Sequence, residues 1–282
     1  MSLFIDAYAK LIYLLFTFLL KHTYKQPETR SFSADKHKKM VRLSKLAMKV
    51  FDLLVRVIGK KNKYCYTMPV DYEECKILIR PFIFSEIVMV SGLWEIYVKS
   101  ILDKNVKNDD VIVDVGANIG VYAIPLAKRV KKVIAFEPHP KTSEMLEKSI
   151  ELNHLHNIVL VKKTIGDSKK KVLYNLSDIP MESGIITTIN RDLNSTIESE
   201  SIDLDTALIM ENKIDWLLID VEGFEVNVLN GAINILRKYS PKIIIEVFHH
   251  NIDKVNEILR NEGYSITHLF DIYYYAVKNN LT

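Results

Sequence analysis

Cysteine and glutamine are scarce in this chain: Cys65, Cys75 and Gln26 are the whole complement in 282 residues. The two cysteines form no CxxC pair and have no histidine at metal-ligand spacing. A zinc site and a disulfide framework are therefore not expected, and a reducing cytosol is the simpler setting. Long apolar runs are missing too. The most apolar stretch, residues 3–20 (LFIDAYAKLIYLLFTFLL), is interrupted by Asp6 and Lys10, so only 11–20 runs unbroken. That is short of the ~20 residues needed to cross a bilayer. No basic segment precedes the stretch and no small-residue cleavage site follows it, so it does not read as a secretory signal. Internal repeats, low-complexity segments and a GxGxxG dinucleotide fingerprint are also absent.

What is present is ordinary globular composition, 48% hydrophobic and 26% charged, enough for a sizeable core. The net charge of +3 conceals a division. Residues 1–63 hold 14 Lys and Arg against four Asp and Glu, and the rest hold 24 against 31. A basic front on an acidic body implies an anionic partner such as a membrane surface, a nucleic acid or a phosphorylated substrate. A solvated helical face is the plainer alternative.

Residues 1–63 read as a basic helical extension. Lys21, Lys25, Arg30, Lys36, Lys38 and Lys39 follow the apolar helix, which suits either an interfacial position or packing on protein. A second amphipathic helix is expected over 35–58, carrying Met40, Leu43, Ala47, Val50, Phe51, Leu54, Val57 and Ile58 at helical spacing. Residues 64–108 form a lead-in, with a strand or hairpin near 76–80 and a helix over 85–103. From 109 to 282 apolar strands alternate with helices. Strands are expected at 111–115, 132–136, 158–161, 216–220, 242–247, 264–268 and 273–278, and helices at 121–130, 141–153, 225–239 and 252–261. Residues 162–215 are looser and partly β. This rhythm specifies a doubly wound α/β sheet. The last two strands lack a crossover helix and must pair antiparallel.

The strongest local signal is Asp114-Val-Gly116-Ala-Asn118-Ile-Gly120, where the first strand of that sheet turns toward a helix. Glycines there let the backbone approach a ligand, beside a helix N-terminus with open N–H groups. About 20 residues on, Phe136-Glu137-Pro138 sets an acid at the end of the second strand, where it can accept from both hydroxyls of a ribose. Together the two features point to an adenosine-type ligand.

The segments DVGANIGVYAIPLAK, AFEPHP, IDVEGFEVNVLNGA and PKIIIEV, in this order, resemble the FkbM-type methyltransferase family over roughly residues 92–266, including Trp94-Glu95 and Ile202-Asp-Leu-Asp205. Asn108-Asp109 and Thr164 depart from its usual Gly and Ala. The resemblance implies a class I Rossmann-like methyltransferase fold: a seven-stranded, mostly parallel sheet with an antiparallel C-terminal hairpin, here preceded by the helical extension. It also implies S-adenosylmethionine as cofactor. Gly116, Asn118 and Gly120 would line its methionine and ribose portion, Asp114 would bind the amino group or support the turn, and Glu137 would hold the ribose. Thr164 and Asp167 would flank the adenine, and Glu95 would join the cofactor contacts or serve as a base.

Methyl transfer to an alcohol needs in-line positioning and a base for the departing proton. The candidates stand at the ends of two strands: Asp220 and Glu222 after one, Glu246 and His249 after the next. His139, His250 and Asn251 read as loop residues. No metal is expected, although Asp220, Glu246 and Asn251 lie where ligands would converge. The leading reading is O-methylation of a hydroxyl on a sugar, glycan or lipid-linked acceptor. It places the protein in the cytoplasm, with residues 1–63 as the contact to an anionic membrane surface. Lysine N-methylation and a non-catalytic cofactor-binding module are the alternatives. The Asp/Asn-Pro-Pro-aromatic motif of adenine N-methylation is replaced by Asp220-Val-Glu222-Gly223, so nucleic acid is not the expected acceptor. Oligomeric state is not legible.

Overall fold

In a computed structural model of the chain, the structure describes residues 2–23, 66–92, 94–175, 184–185 and 196–279. The helix expected over 35–58 lies outside them. Two compact units are present, Met1–Ile96 and Tyr97–Thr282.

The first unit contains helix α1 (Ser2–Thr23), the antiparallel hairpin β1 (Met68–Tyr72) and β2 (Cys75–Ile79), and helix α2 (Phe84–Met89). Ala9, Ile12 and Phe16 form the buried side of α1. Phe16 meets Phe84 of α2 edge-on, with ring centroids 5.8 Å apart. Arg80 and Glu86 are buried together as an ion pair, with Arg80 Nε donating to Glu86 at 2.7 Å. Burial pushes the Glu86 carboxyl up while the guanidinium works the other way. Removing either partner would strand a buried charge, so the pair reads as structural. The single helix expected over 85–103 is instead α2 and α3 (Ile96–Asn105). The first ends where Ser91 turns its hydroxyl back onto the Val88 carbonyl at 2.6 Å, a local bond that competes with helix propagation.

The second unit is built on a seven-stranded sheet. Its strands are β3 (Val111–Val115), β4 (Lys132–Phe136), β5 (Ile158–Val161), β10 (Trp216–Ile219), β11 (Lys242–Glu246), β12 (Tyr264–Phe270) and β13 (Tyr273–Lys278). The order is β12-β13-β11-β10-β3-β4-β5. All neighbours run parallel except β13, which is antiparallel to both β11 and β12. This is the class I Rossmann-like arrangement, closed by the expected hairpin. Every residue of β3 and β10 is buried, as a parallel sheet covered on both faces requires. On one face Val111, Val113, Val115, Leu217, Ile219, Ile243 and Ile245 form a core with helices α6 (Leu204–Ala207), α7 (Glu225–Asn230), α8 (Ile233–Tyr239) and α9 (Ile252–Asn261).

Two helices differ from expectation for identifiable reasons. The one after β3 is only α4 (Ala123–Ala127). Pro125 lacks an N–H, and the chain closes with i→i−3 bonds from Lys128 to Pro125 and from Arg129 to Leu126. The long helix over 225–239 is split at Gly231. A Cβ there would come within 3.1 Å of the Gly166 carbonyl carbon and nearer still to its oxygen. The Asp205 carboxylate then accepts from the N–H groups of Asn234 and Ile235 and caps α8 from another element. Gly166 belongs to a second sheet, β6 (Thr164–Gly166), β9 (Thr196–Asp203), β7 (Lys170–Asn175) and β8 (Gly184–Ile185). This sheet gives the loosely patterned region its structure.

Candidate functional site

The turn after β3 is held by backbone bonds before any ligand is considered. Gly116 and Ala117 both donate to the Phe136 carbonyl, at 2.9 and 3.0 Å. Gly116, Asn118 and Gly120 have φ of +90°, +50° and +92°, so the bend is left-handed at alternate positions. The two glycines also answer to protein contacts. A Cβ on Gly116 would run into the backbone of Asp220, 2.8 Å from its carbonyl carbon and closer to its oxygen. A Cβ on Gly120 would lie 2.5 Å from Leu146 Cδ1, a side chain of α5 (Pro140–Leu152).

Glu137, 6% exposed, bridges the loops after β3 and β4: its carboxylate accepts from Asn118 N and His139 N, both at 2.8 Å. His139 is no mere loop residue. It is buried and caps α5 by accepting the Thr142 N–H at Nδ1. Asp114, 3% exposed, is the penultimate residue of β3, with its Oδ2 buried and unpartnered, and Asn118 Oδ1 is a second orphaned acceptor in the turn that follows. Burial, then the charges of Asp220 and Glu137, push the Asp114 carboxyl up to about 7.

That shift has a testable consequence. A carboxyl with a raised folded-state pKa adds stability in full below its unfolded value of ~3.9 and loses it as pH rises through about 7. Asp114→Asn removes the titration, so its melting temperature should gain on the unsubstituted protein between pH 5 and pH 8. A constant difference across that range would show that Asp114 titrates normally.

Asp220 follows β10, Glu222 lies two residues on, and Glu246 ends β11. One carboxylate oxygen from each lies within 4.8 Å of the other two, each residue being half-buried. Asp220 and Glu246 share a hydrogen bond, and burial pushes the Asp220 carboxyl up against it. Among the described residues this is a spacing that admits a metal ion, although acid clusters of this kind also occur without one. Glu222 sits at φ +50°, a conformation that costs a non-glycine residue energy and persists only when its surroundings fix it. Glu225 supplies the fixing. Fully buried, it accepts from Gly223 N at 2.8 Å and from Asn251 Nδ2 at 2.6 Å, and Asn251 also donates to the Gly223 carbonyl. The sequence marks Glu225 only as the start of a helix, and Asn251 only as a loop residue or metal ligand. An acid in a first turn is too common to be a signal.

The other candidates are placed differently. His249 is exposed on the short 3-10 turn His249–Asn251 and does not join the acidic cluster. Thr164 is buried and hydrogen bonded to the Ser199 hydroxyl. Asp167 is engaged at both oxygens, by Lys170 and Ser168 on one and Asn227 on the other. Lys170 first of all holds its carboxyl below the usual range. Glu95 belongs to the first unit, half-buried at φ +46° in the turn before α3.

Residues 114–266, more than half of the chain, match the family described as the methyltransferase FkbM domain. Hexuronic acid methyltransferase AglP of Haloferax volcanii is 27% identical over 153 residues, which is 54% of this chain and 62% of that protein. The tRNA (guanine(37)-N(1))-methyltransferase Trm5b of Methanocaldococcus jannaschii is 32% identical over 168 residues, 54% of this chain and 43% of that one. The crystal structure of methyltransferase FkbM from Methylobacillus flagellatus superposes with a TM-score of 0.46 at 19% identity, covering 61% of this chain and 44% of that one. The chain spans about half the length of the curated relatives it matches, from 31% to 62% for three of them. The matched span holds the glycine turn, Glu137 and the Asp220–Glu246 cluster, and on this basis the chain belongs to the FkbM methyltransferase family.

Proposed function

We propose that the protein transfers a methyl group from S-adenosylmethionine to a hydroxyl of a sugar, glycan or lipid-linked acceptor. The observation that carries the cofactor is the electrostatics of the β3 turn. Asp114 has a buried oxygen without a partner and a pKa raised to about 7, first by burial and then by the charges of Asp220 and Glu137, and Asn118 offers a second orphaned acceptor. A ligand with ammonium and sulfonium charges relieves that repulsion and fills those acceptors. The pyrophosphate of a dinucleotide would add to the repulsion. Glu137 fits the ribose as well as the turn, since a carboxylate offers about four acceptor positions.

When bound, S-adenosylmethionine supplies an electrophilic methyl on sulfur. The remaining work belongs to the protein. Asp114 and Asn118 hold the cationic end, and Gly116 and Gly120 set the bend. The Asp220–Glu246 pair, with Glu222 beside it, takes the acceptor's proton at a carboxylate oxygen. A base with a raised pKa suits that role at neutral pH. Within the second unit, Thr164 and Asp167 are the remaining cofactor contacts, and His249 is a fourth catalytic candidate. The methyl transfer needs no metal. Support for a carbohydrate acceptor is the hexuronic acid methyltransferase among the relatives, and the two-cysteine composition supports action in the cytoplasm.

Calorimetry with S-adenosylmethionine and with NAD tests the cofactor; tighter NAD binding would overturn it. Glu137→Ala removes a charged acceptor from two backbone donors and from the ribose. It should weaken S-adenosylmethionine at least ~100-fold, at ~1.5–3 kcal/mol per charged hydrogen bond. For the acceptor, tritiated cofactor is offered to oligosaccharide, glycolipid, RNA and protein fractions. Label in the carbohydrate fractions is expected. Label confined to RNA or protein would replace the hydroxyl reading, and bound cofactor with no transfer at all would favour a binding module.

A further inference from the structure

The parallel ladder between β10 and β11 stops at the pair Ile219 and Ile245, one step short of the acid cluster. Asp220 and Glu222 lie on the arm that leaves β10, and Glu246 is the last residue of β11. Beyond the ladder a different set of bonds ties the two arms together. Asn251, on the 3-10 turn that follows β11, donates through Nδ2 to the Gly223 carbonyl at 3.0 Å and to Glu225 Oε2 at 2.6 Å. Glu225 Oε1 accepts from Gly223 N at 2.8 Å. The three bonds close a ring in which Gly223 is held at both its N–H and its carbonyl. Both protons of the Asn251 amide nitrogen are used, and each oxygen of Glu225 has a donor.

A cap on α7 needs only the bond from Gly223 N to Glu225. The two bonds from Asn251 add a tie to the neighbouring strand end, and two observations say what that tie does. Glu222 and Gly223 are consecutive left-handed residues, at φ +50° and +99°. Glycine adopts that conformation freely, but Glu222 keeps it only while the peptide after it is held. The ring is also dry: Glu225 is fully buried and Asn251 is 8% exposed. Water does not replace a missing member there, so a fully matched buried network of this kind makes the two arms rigid. We infer that Asn251 is a positioning residue for methyl transfer: its amide ties Gly223 and Glu225 to the β11 arm and so fixes Asp220 and Glu222 against Glu246. An amide takes no proton at neutral pH, so Asn251 acts through the carboxylates. The inference rests on the proton-accepting role proposed for them.

The test is a double-mutant cycle on the full chain, read by methyl transfer from tritiated S-adenosylmethionine to oligosaccharide and glycolipid fractions. Asn251→Ala in the wild-type background should lower turnover at least ~10-fold, because small misplacements of reacting groups are costly. Its affinity for S-adenosylmethionine, measured by calorimetry, should stay close to the wild-type value. In the Asp220→Asn background the proton-sharing pair is already broken, so the same change should cost less than ~2-fold more. Glu225→Gln opens the ring from the other arm, since its amide nitrogen offers Asn251 a donor in place of an acceptor, and it should repeat the pattern. A ring that only supports the fold would lower melting temperature and cofactor affinity together, with equal losses of turnover in both backgrounds. That result, or wild-type turnover in Asn251→Ala, overturns the inference. Where Asn251→Ala does not fold, Glu225→Gln carries the cycle, and collapse of both variants counts as a structural role and rejects it. A wild type that binds cofactor yet labels neither fraction is a separate failure, which removes the proton-accepting reading and the inference with it.

Discussion

Gly116→Ala should destabilise the protein by at least ~4 kcal/mol, beyond the 0.5–3 kcal/mol of ordinary substitutions. Two independent costs add. At φ +90° an alanine is strained, by about 1–2 kcal/mol. Its Cβ would also enter the Asp220 backbone, 2.8 Å from the carbonyl carbon and nearer to the oxygen. Backbone in the centre of a parallel sheet has nowhere to move: Asp220 N is itself bonded to the Val115 carbonyl at 2.9 Å. Gly120→Ala is the internal comparison. Its φ is nearly the same, +92°, but its Cβ would meet side-chain carbons of Leu146 and Ile124 at 2.5 and 2.9 Å. Those atoms can rotate away, so its loss should be smaller, about 2 kcal/mol. Urea denaturation of the two variants reads the difference. If Gly116→Ala is no worse than Gly120→Ala, the close approach of the two strand ends does not exist. Because the same clash would push Asp220 off its position, Gly116→Ala protein that still folds should also lose turnover.

The contrast between the two glycines shows what sequence reading reaches. Spacing located the turn, and it located Glu137 at the end of β4, because both lie at strand ends marked by apolar runs. The reason for the glycines was harder to see. Gly116 is required by the backbone of Asp220, 104 positions along the chain, as well as by any ligand. The same holds for the helix break at Gly231, whose cause is the Gly166 carbonyl. Strands such as Val111–Val115 and Lys242–Glu246 are legible because their buried residues form near-continuous apolar runs, Val-Ile-Val in one and Ile-Ile-Ile in the other. Residues 196–203, TIESESID, form a strand whose side chains are mostly polar, and its neighbours β6 and β7 are no clearer, so the second sheet was not legible. In the site, proximity in sequence is a poor guide to which side chains meet. His249 stands three residues from Glu246 yet is outside the acidic cluster, whereas Glu225 and Asn251, 26 positions apart, meet and hold the turn that carries Glu222.

Asp220→Asn and Glu246→Gln should each lower the turnover rate by about 10²–10⁴, the usual contribution of a positioned base, with a smaller effect on cofactor affinity. The two carboxyls share a hydrogen bond, and the Asp220 pKa is raised, so at low pH the pair keeps a proton and cannot take another from the acceptor. The rate on the wild-type protein should therefore climb with pH and level off once that proton is gone, and neither variant should retain the same climb. If the pair acts as a unit, the double variant should be little worse than either single one, since each alone already breaks the proton-sharing arrangement. Independent, multiplying losses would mean that one of the two only positions the other's partner. A chelator arm separates base from metal ligand, because the same three carboxylates are spaced to admit a cation. With a proton-accepting pair, EDTA should leave the rate unchanged, and added magnesium should not restore either variant. Loss of activity in EDTA with recovery on adding magnesium would transfer Asp220, Glu222 and Glu246 from proton acceptance to ion binding, and the acceptor's proton would then need a different base.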